Sequence, residues 1–357
     1  MGKRDWSWAI LGILALGVRY LAIQNPEATD TIYSRTFFPG IRNVIDLTLG
    51  NLPFPSVYLF ILLLLGILGL YFLKFSRRIG WKERAFYSVK ALANGLGALV
   101  FFFLILWGFN YHRTPIFQQL GLKPKALDLV ELKEEIWITQ RLVLQYRGII
   151  TQDTTAITET LPYPELEKLV RTNVGENLDM LGLNFTGNPR TKMFPPGGFM
   201  RKMGILGIYF PFTGESYIDP TLHPLEQPFT IAHEMAHSYG VTDEGEANFI
   251  AWVICSNSDD PLLRYSGQLR LLMYQFRDFY RIAPDEFKEF MKTLDRGIMN
   301  DLISLQKAAE AVKPFSLELS RKSNDIFLKS QGVKAGVNSY QQLPMLVFAW
   351  RDRMKGD

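Results

Sequence analysis

Cysteine is almost absent from this chain. The 357 residues hold one, Cys255, so neither an intramolecular disulfide framework nor a multi-cysteine metal site can be built. A lone thiol fits either redox compartment, and packing within a helix accounts for it. Histidine is nearly as scarce: His112, His223, His233 and His237 are the whole set. Two of those four share one five-residue segment. A dense basic patch with interleaved aromatics is missing too, and with a net charge of only +4 nucleic acid is not an expected partner. Internal repeats and low-complexity tracts are also lacking.

Charge is scarce in the first hundred or so residues. The mean hydropathy of +0.03 hides that split, because the rest of the chain is an ordinary polar mixture. Three apolar stretches approach the ~20 residues that a bilayer-spanning helix needs. They cover about 6–23, 57–73 and 91–109. The first carries Arg19 near its far end, where a long side chain can reach the headgroups. No small-x-small cleavage signal precedes Asn25, so a retained anchor is expected rather than a cleaved leader. Lys74, Arg77, Arg78, Lys82, Arg84 and Lys90 lie between the second and third stretches, and Lys3 and Arg4 at the amino terminus. The positive-inside rule then puts the amino terminus and the basic loop in the cytoplasm. Three crossings of the cytoplasmic (inner) membrane leave everything after about Tyr111 outside, and His112 at the membrane interface. The spans hold no acidic pair and no broken-helix pattern, which argues against a transporter.

The expected organisation is therefore a membrane domain over 1–112 and an extracytoplasmic domain over 113–357. In the second part the pattern is mainly helical. Asp128–Tyr146 has apolar residues at three- and four-residue steps with Asp128 as cap, and 164–181 is helical in pattern. Breakers make 184–200 a loop. The run 204–212 is the one good strand, with 215–218 as a second short one beyond a Thr213–Gly214 turn. Helices are expected at about 226–239, 243–256, 261–281, 284–292, 294–312, 316–330 and 339–352.

The segment His233-Glu234-Met235-Ala236-His237 fits H-E-x-x-H. Residues i and i+4 lie on one helix face, so both imidazoles can reach one zinc ion. Glu234 beside the first ligand can take a proton from a zinc-bound water. Pro228 suits the first turn of this helix and Gly240 its end. A catalytic zinc usually has a third protein ligand, and VTDEGEANFIAW offers Asp243, Glu244 and Glu246. One template places a glutamate in an E-x-x-A-[DN] pattern on a second helix, which selects Glu244 and puts Asn248 one turn on, able to accept from a ligand imidazole. The other, H-E-x-x-H-x-x-G-x-x-H, selects Asp243. Glu244 is favoured. Asp243 fits a helix N-cap, and Glu246 an exposed helix charge.

HEMAH with EGEAN resembles the zincin superfamily, its gluzincin branch in particular. With WGFNYHR, GIYFPFTGES and SNDIFLKSQGVKAGVNSY, the chain looks like an uncharacterised family of bacterial multi-pass membrane proteins with a domain of unknown function of that type. The resemblance implies a membrane protein that is mainly α, with an α-rich α+β zincin-like metallopeptidase domain and a small sheet. It implies Zn2+ held by His233, His237 and Glu244, with Glu234 catalytic. It also implies that the strand before the active helix, 207–212, offers backbone groups to an extended peptide. The short gap from His237 to Glu244, and Asn248 where an Asp is frequent, depart from that pattern. An oxyanion donor is also needed, for which Tyr217, His223, Tyr239 and Tyr340 are candidates and Tyr340 the preferred one. The expected activity is zinc-dependent hydrolysis of peptide bonds in a peptide or protein substrate. The alternative is a non-catalytic membrane protein with a structural zinc, acting as a binding or scaffold module.

Overall fold

The computed structural model describes residues 6–78, 80–183, 186–331 and 342–356. The protein is mainly helical with one three-stranded sheet. It divides into two compact units: 1–114 with 210–215, and 115–209 with 216–357.

In the first unit, α1 (Ser7–Gln24), α4 (Val57–Ser76) and α5 (Trp81–Leu106) are long and apolar enough to cross a membrane. The helix α5 starts ten residues before the expected stretch. Its opening turns, with Lys82, Glu83, Arg84 and Lys90, are polar and so fell outside the hydropathy window, yet they are good helix formers. At 26 residues and 1.5 Å per residue it measures about 39 Å, longer than the roughly 30 Å of a hydrocarbon core. The helices α1 and α5 cross with their backbones touching. A Cβ on Gly97 would lie 2.3 Å from the Trp8 carbonyl oxygen, and one on Gly12 would lie 2.6 Å from the Gly97 Cα. Small residues at a crossing let two helix backbones approach closely and gain dispersion contact.

The stretch between the first two apolar helices, unassigned in the sequence reading, is helical. It runs through α2 (Pro26–Thr29), a π-helix over Asp30–Phe37 and α3 (Phe38–Leu47). Arg19 does not stand alone at the end of α1; its Nε donates to Nε2 of the buried His112, 3.2 Å away. Burial first, and the Arg19 charge second, lower the His112 pKa to about 4, so this imidazole serves as a neutral acceptor. The chain segment 210–215 belongs to this unit. Phe212 stacks on Phe60 at 5.2 Å, Arg42 donates to the Gly214 carbonyl, and Glu215 accepts from the Ser56 N–H at 2.8 Å.

The second unit begins with α6 (Ile116–Gln119), α7 (Leu129–Ile150) and α8 (Tyr163–Met180). Asp128 caps α7 with a full capping box to Glu131, a feature that contributes on the order of 1 kcal/mol. The segment read as a loop, 184–200, carries β1 (Thr191–Met193) and the start of α9 (Phe199–Lys202). A three-residue strand among prolines and glycines has no usable periodicity, and pairing with a distant partner creates it. That partner is β3 (Glu215–Ile218), parallel and in register Thr191↔Ser216 to Met193↔Ile218. The sheet order β1-β3-β2 leaves β2 (Gly207–Phe210) at an edge.

The remaining helices are α10 (Gln227–Ser238), α11 (Glu244–Asn257), α12 (Pro261–Ile282), α13 (Pro284–Lys292), α14 (Arg296–Ala311), α15 (Leu317–Ser330) and α16 (Leu343–Gly356). Each lies within a few residues of its expected range. The helix α11 packs against α8, α10, α12 and α16, and Cys255 lies fully buried on it. Ala247, Ile250, Ala251 and Ile254 are fully buried there. Burying each of the two isoleucines contributes roughly 1.5–3 kcal/mol. At the base of the unit, Arg147 donates to Asp301 at 2.8 Å, and Asp301 also accepts from Tyr265 and from the Ile157 N–H.

Candidate metal centre

Every residue of α10 is buried. Pro228 lies in its first turn, and Gly240, with φ +85, follows its end. That backbone conformation lets the chain reverse at once into α11. The N–H of Val241 donates to the Ala236 carbonyl, closing the reversal. Asp243 is the N-cap of α11, accepting from the N–H groups of Gly245 and Glu246. The first residue inside the cap is Glu244, so the tight turn aims its carboxylate back at α10.

Three ligand-type atoms meet there. His233 Nε2 and His237 Nε2 are 3.1 Å apart. Glu244 Oε2 lies 3.2 Å from the first and 3.3 Å from the second. Zinc–nitrogen and zinc–oxygen bonds of about 2.0–2.1 Å in a tetrahedron place neighbouring ligands ~3.3–3.4 Å apart. The triangle therefore has the size that one small cation between three ligands requires. Among the described residues this is the only grouping of three or more His, Cys, Asp or Glu with such geometry.

The charges fit the same purpose. Burial alone would raise the Glu244 pKa, but the His237 charge and the close approach of both imidazole nitrogens hold it well below the usual carboxylate range. Burial alone would lower His237, but the Glu244 carboxylate outweighs it and lifts the pKa to about 9. His233 is lowered, first by burial, with the His237 charge adding to that. Without a cation, a proton on His237 takes the place of positive charge beside Glu244.

Around this cluster His237 Nδ1 pairs with the Val241 carbonyl at 2.6 Å, which leaves Nε2 to face the triangle. Among the described residues, Asn248 meets α12. Its Nδ2 faces the Tyr274 hydroxyl at 3.4 Å, while His233 Nδ1 has no hydrogen-bond partner among the described residues. Glu246 is not an exposed charge either. It is buried and accepts from the Phe117 N–H at 3.1 Å, because α11 is covered on the side that a surface helix would expose.

Glu234 stands outside the triangle. Burial raises its pKa to about 8, and its Oε2 has no partner among the described residues. The backbone of this residue is fixed from β3, where Ser216 Oγ donates to the Glu234 carbonyl at 2.7 Å. Its carboxylate lies against β2 at Gly207, where an added Cβ would fall 2.4 Å from Oε1. The sequence reading missed both contacts. A glycine inside a strand is a signal of close approach, but it does not say what approaches.

Two of the oxyanion candidates, Tyr239 and His223, make other hydrogen bonds. Tyr217 is buried with its ring edge-on to Phe194, and Tyr239 donates to the Gly187 carbonyl. His223 pairs with Ser304 Oγ and accepts from the Leu225 N–H. Tyr340 lies outside the described residues.

A mainly helical chain with three apolar helices near its start and a cluster of two buried histidines and one partly buried glutamate is the class that fold and site define. The family described as "Protein of unknown function (DUF3810)" matches residues 33–348, and the chain belongs to it. No curated protein and no solved structure matches the chain.

Proposed function

We propose that this protein is a zinc metallopeptidase of zincin type, gluzincin-like, held in the cytoplasmic membrane with its catalytic unit outside. The observation that carries the reading is the near-equilateral triangle of His233, His237 and Glu244, with the unpartnered carboxylate oxygen of Glu234 beside the first ligand.

Zinc bound there would polarise a substrate carbonyl and lower the pKa of a bound water toward ~7. His233 and His237, the latter after losing its proton, would present Nε2 to the metal as neutral donors, and Glu244 would supply the negative charge that favours a dication. Glu234 accepts the proton of the attacking water at its carboxylate and passes it to the leaving amine. Burial alone lifts its pKa to about 8, and a dication at the triangle would lower it and favour the ionised form that acts as the base. The edge strand β2 runs beside Glu234 at Gly207, so an extended peptide can add to it by backbone pairing. A purely structural zinc site would have no use for a buried, unpartnered carboxylate next to a ligand, which is costly to bury. The basic residues at the facing ends of α4 and α5 and in the turn between them, Lys74, Arg77, Arg78, Lys82, Arg84 and Lys90, support the orientation by the positive-inside rule.

The test is metal analysis and proteolysis with the full-length protein purified in detergent. Stoichiometric zinc in the wild type, its loss in His233→Ala, and zinc kept but cleavage lost in Glu234→Gln support the reading. A wild-type protein that takes up no zinc removes it, and one that keeps zinc without any Glu234-dependent cleavage points to the scaffold alternative.

A further inference from the structure

We propose that Gly207 is the positioning residue for Glu234: the absent side chain on β2 is the space that the carboxylate occupies. This rests on the peptidase reading for its catalytic consequence, but the contact itself does not. The observation is specific. A Cβ built on Gly207 would meet three atoms of one side chain, Glu234 Oε1 at 2.4 Å, Cγ at 2.7 Å and Cδ at 2.8 Å. Nothing else is as close to it. The φ of Gly207 is not in the left-handed region, so its backbone conformation does not demand glycine. The demand comes from the neighbour.

The neighbour has little freedom to yield. The Glu234 carbonyl accepts from Ser216 and Ser238, at 2.7 and 3.2 Å. The bond from Ser216 pins the helix to β3, the strand hydrogen-bonded to β2. Glu234 is also buried on a helix whose residues are all buried. Its side chain therefore has β2 on one side. With Oε1 pressed to the strand at Gly207, Oε2 is left as the oxygen free of partners. A methyl group at 207 would push the carboxylate off the strand and turn Oε2 away, while the three ligand atoms, which do not touch Gly207, would stay in place.

A double-mutant cycle on the full-length protein in detergent tests this, using wild type, Gly207→Ala, Glu234→Ala and the double variant. In the wild-type background Gly207→Ala should lower Tm by about 3–8 °C, the scale for one overpacked contact. In the Glu234→Ala background, where every clashing atom is gone, it should lower Tm by no more than about 1 °C. Gly207→Ala should keep stoichiometric zinc and, on any peptide that the wild type cleaves, reduce kcat roughly tenfold or more with KM little changed. Equal Tm losses in both backgrounds, loss of zinc from Gly207→Ala, or an unchanged kcat would each overturn the proposal. A wild type that binds zinc and cleaves nothing would defeat the peptidase reading alone, and the cycle would still decide whether Gly207 places Glu234.

Discussion

Glu244 on α11 reaches back across the turn to His237 on α10, with Oε2 3.3 Å from Nε2. Seven residues of separation, reversed at Gly240 and capped at Asp243, are enough to bring a carboxylate onto an imidazole of the preceding helix. The pair is the part of the site most exposed to experiment.

Removing Glu244 should remove the metal. Glu244→Gln keeps the shape but deletes the charge, and zinc affinity is expected to fall by at least about 100-fold, more than the 10–100-fold typical of outer partners. Asp243→Asn, which weakens only the cap, should cost about 1 kcal/mol of stability or less and keep the zinc. Competition with a chromophoric chelator separates the two, and equal losses would mean that Glu244 is not a ligand.

Zinc uptake should depend on pH through His237. Its pKa is raised to about 9 by Glu244, so below that pH a proton occupies the nitrogen that the metal needs. Apparent affinity should fall about tenfold per unit of pH below 9, with about one proton released per zinc bound. The chelated protein should show the opposite linkage. A raised pKa stabilises the fold fully below the unfolded value of about 6.5 and loses that contribution as pH rises through about 9. Calorimetric titration in buffers of different ionisation enthalpy measures the proton count, and Tm against pH measures the second effect.

The crossing of α1 and α5 leaves no room for side chains. Gly97→Leu places carbon within 2.3 Å of the Trp8 carbonyl oxygen and should destabilise the helix pair by roughly 1–3 kcal/mol. Gly17→Leu, at a position with open space around it, should be neutral. Thermal melts in detergent compare the two, and similar effects would contradict the crossing.

Asp301 holds three donors at zero exposure. Asp301→Ala strands the buried Arg147 guanidinium and should cost about 3–5 kcal/mol. Urea denaturation gives the value, and a loss under 1 kcal/mol would show that the network relaxes around the gap.

The His233-Glu234-x-x-His237 spacing was legible because the helix repeat alone puts i and i+4 on one face. The Asp243 cap was legible too, since capping is a local matter of one side chain and the next two N–H groups. The contact of Asn248 with Tyr274 was not legible: Tyr274 comes from α12, and nothing local to Asn248 announces a partner 26 residues away. Glu246 was misread for the same reason: a charge at a solvated helix position and a charge under a neighbouring segment look alike in sequence. The π-helix over Asp30–Phe37 was not legible because it has no 3.6-residue signature.

By itself the sequence determined what depends on near neighbours along the chain: three apolar helices, the helix carrying both histidines, the proline and glycine that bound it, and the cap that starts the next one. Periodicity, hydropathy and turn chemistry act over a few residues, so they are written in order. The tertiary structure decided the contacts between elements far apart in sequence. It brought β1 alongside β3, covered Glu246, and set Gly207 against Glu234. Those contacts depend on which faces pack together, and packing is settled by the whole core at once rather than by any segment of it.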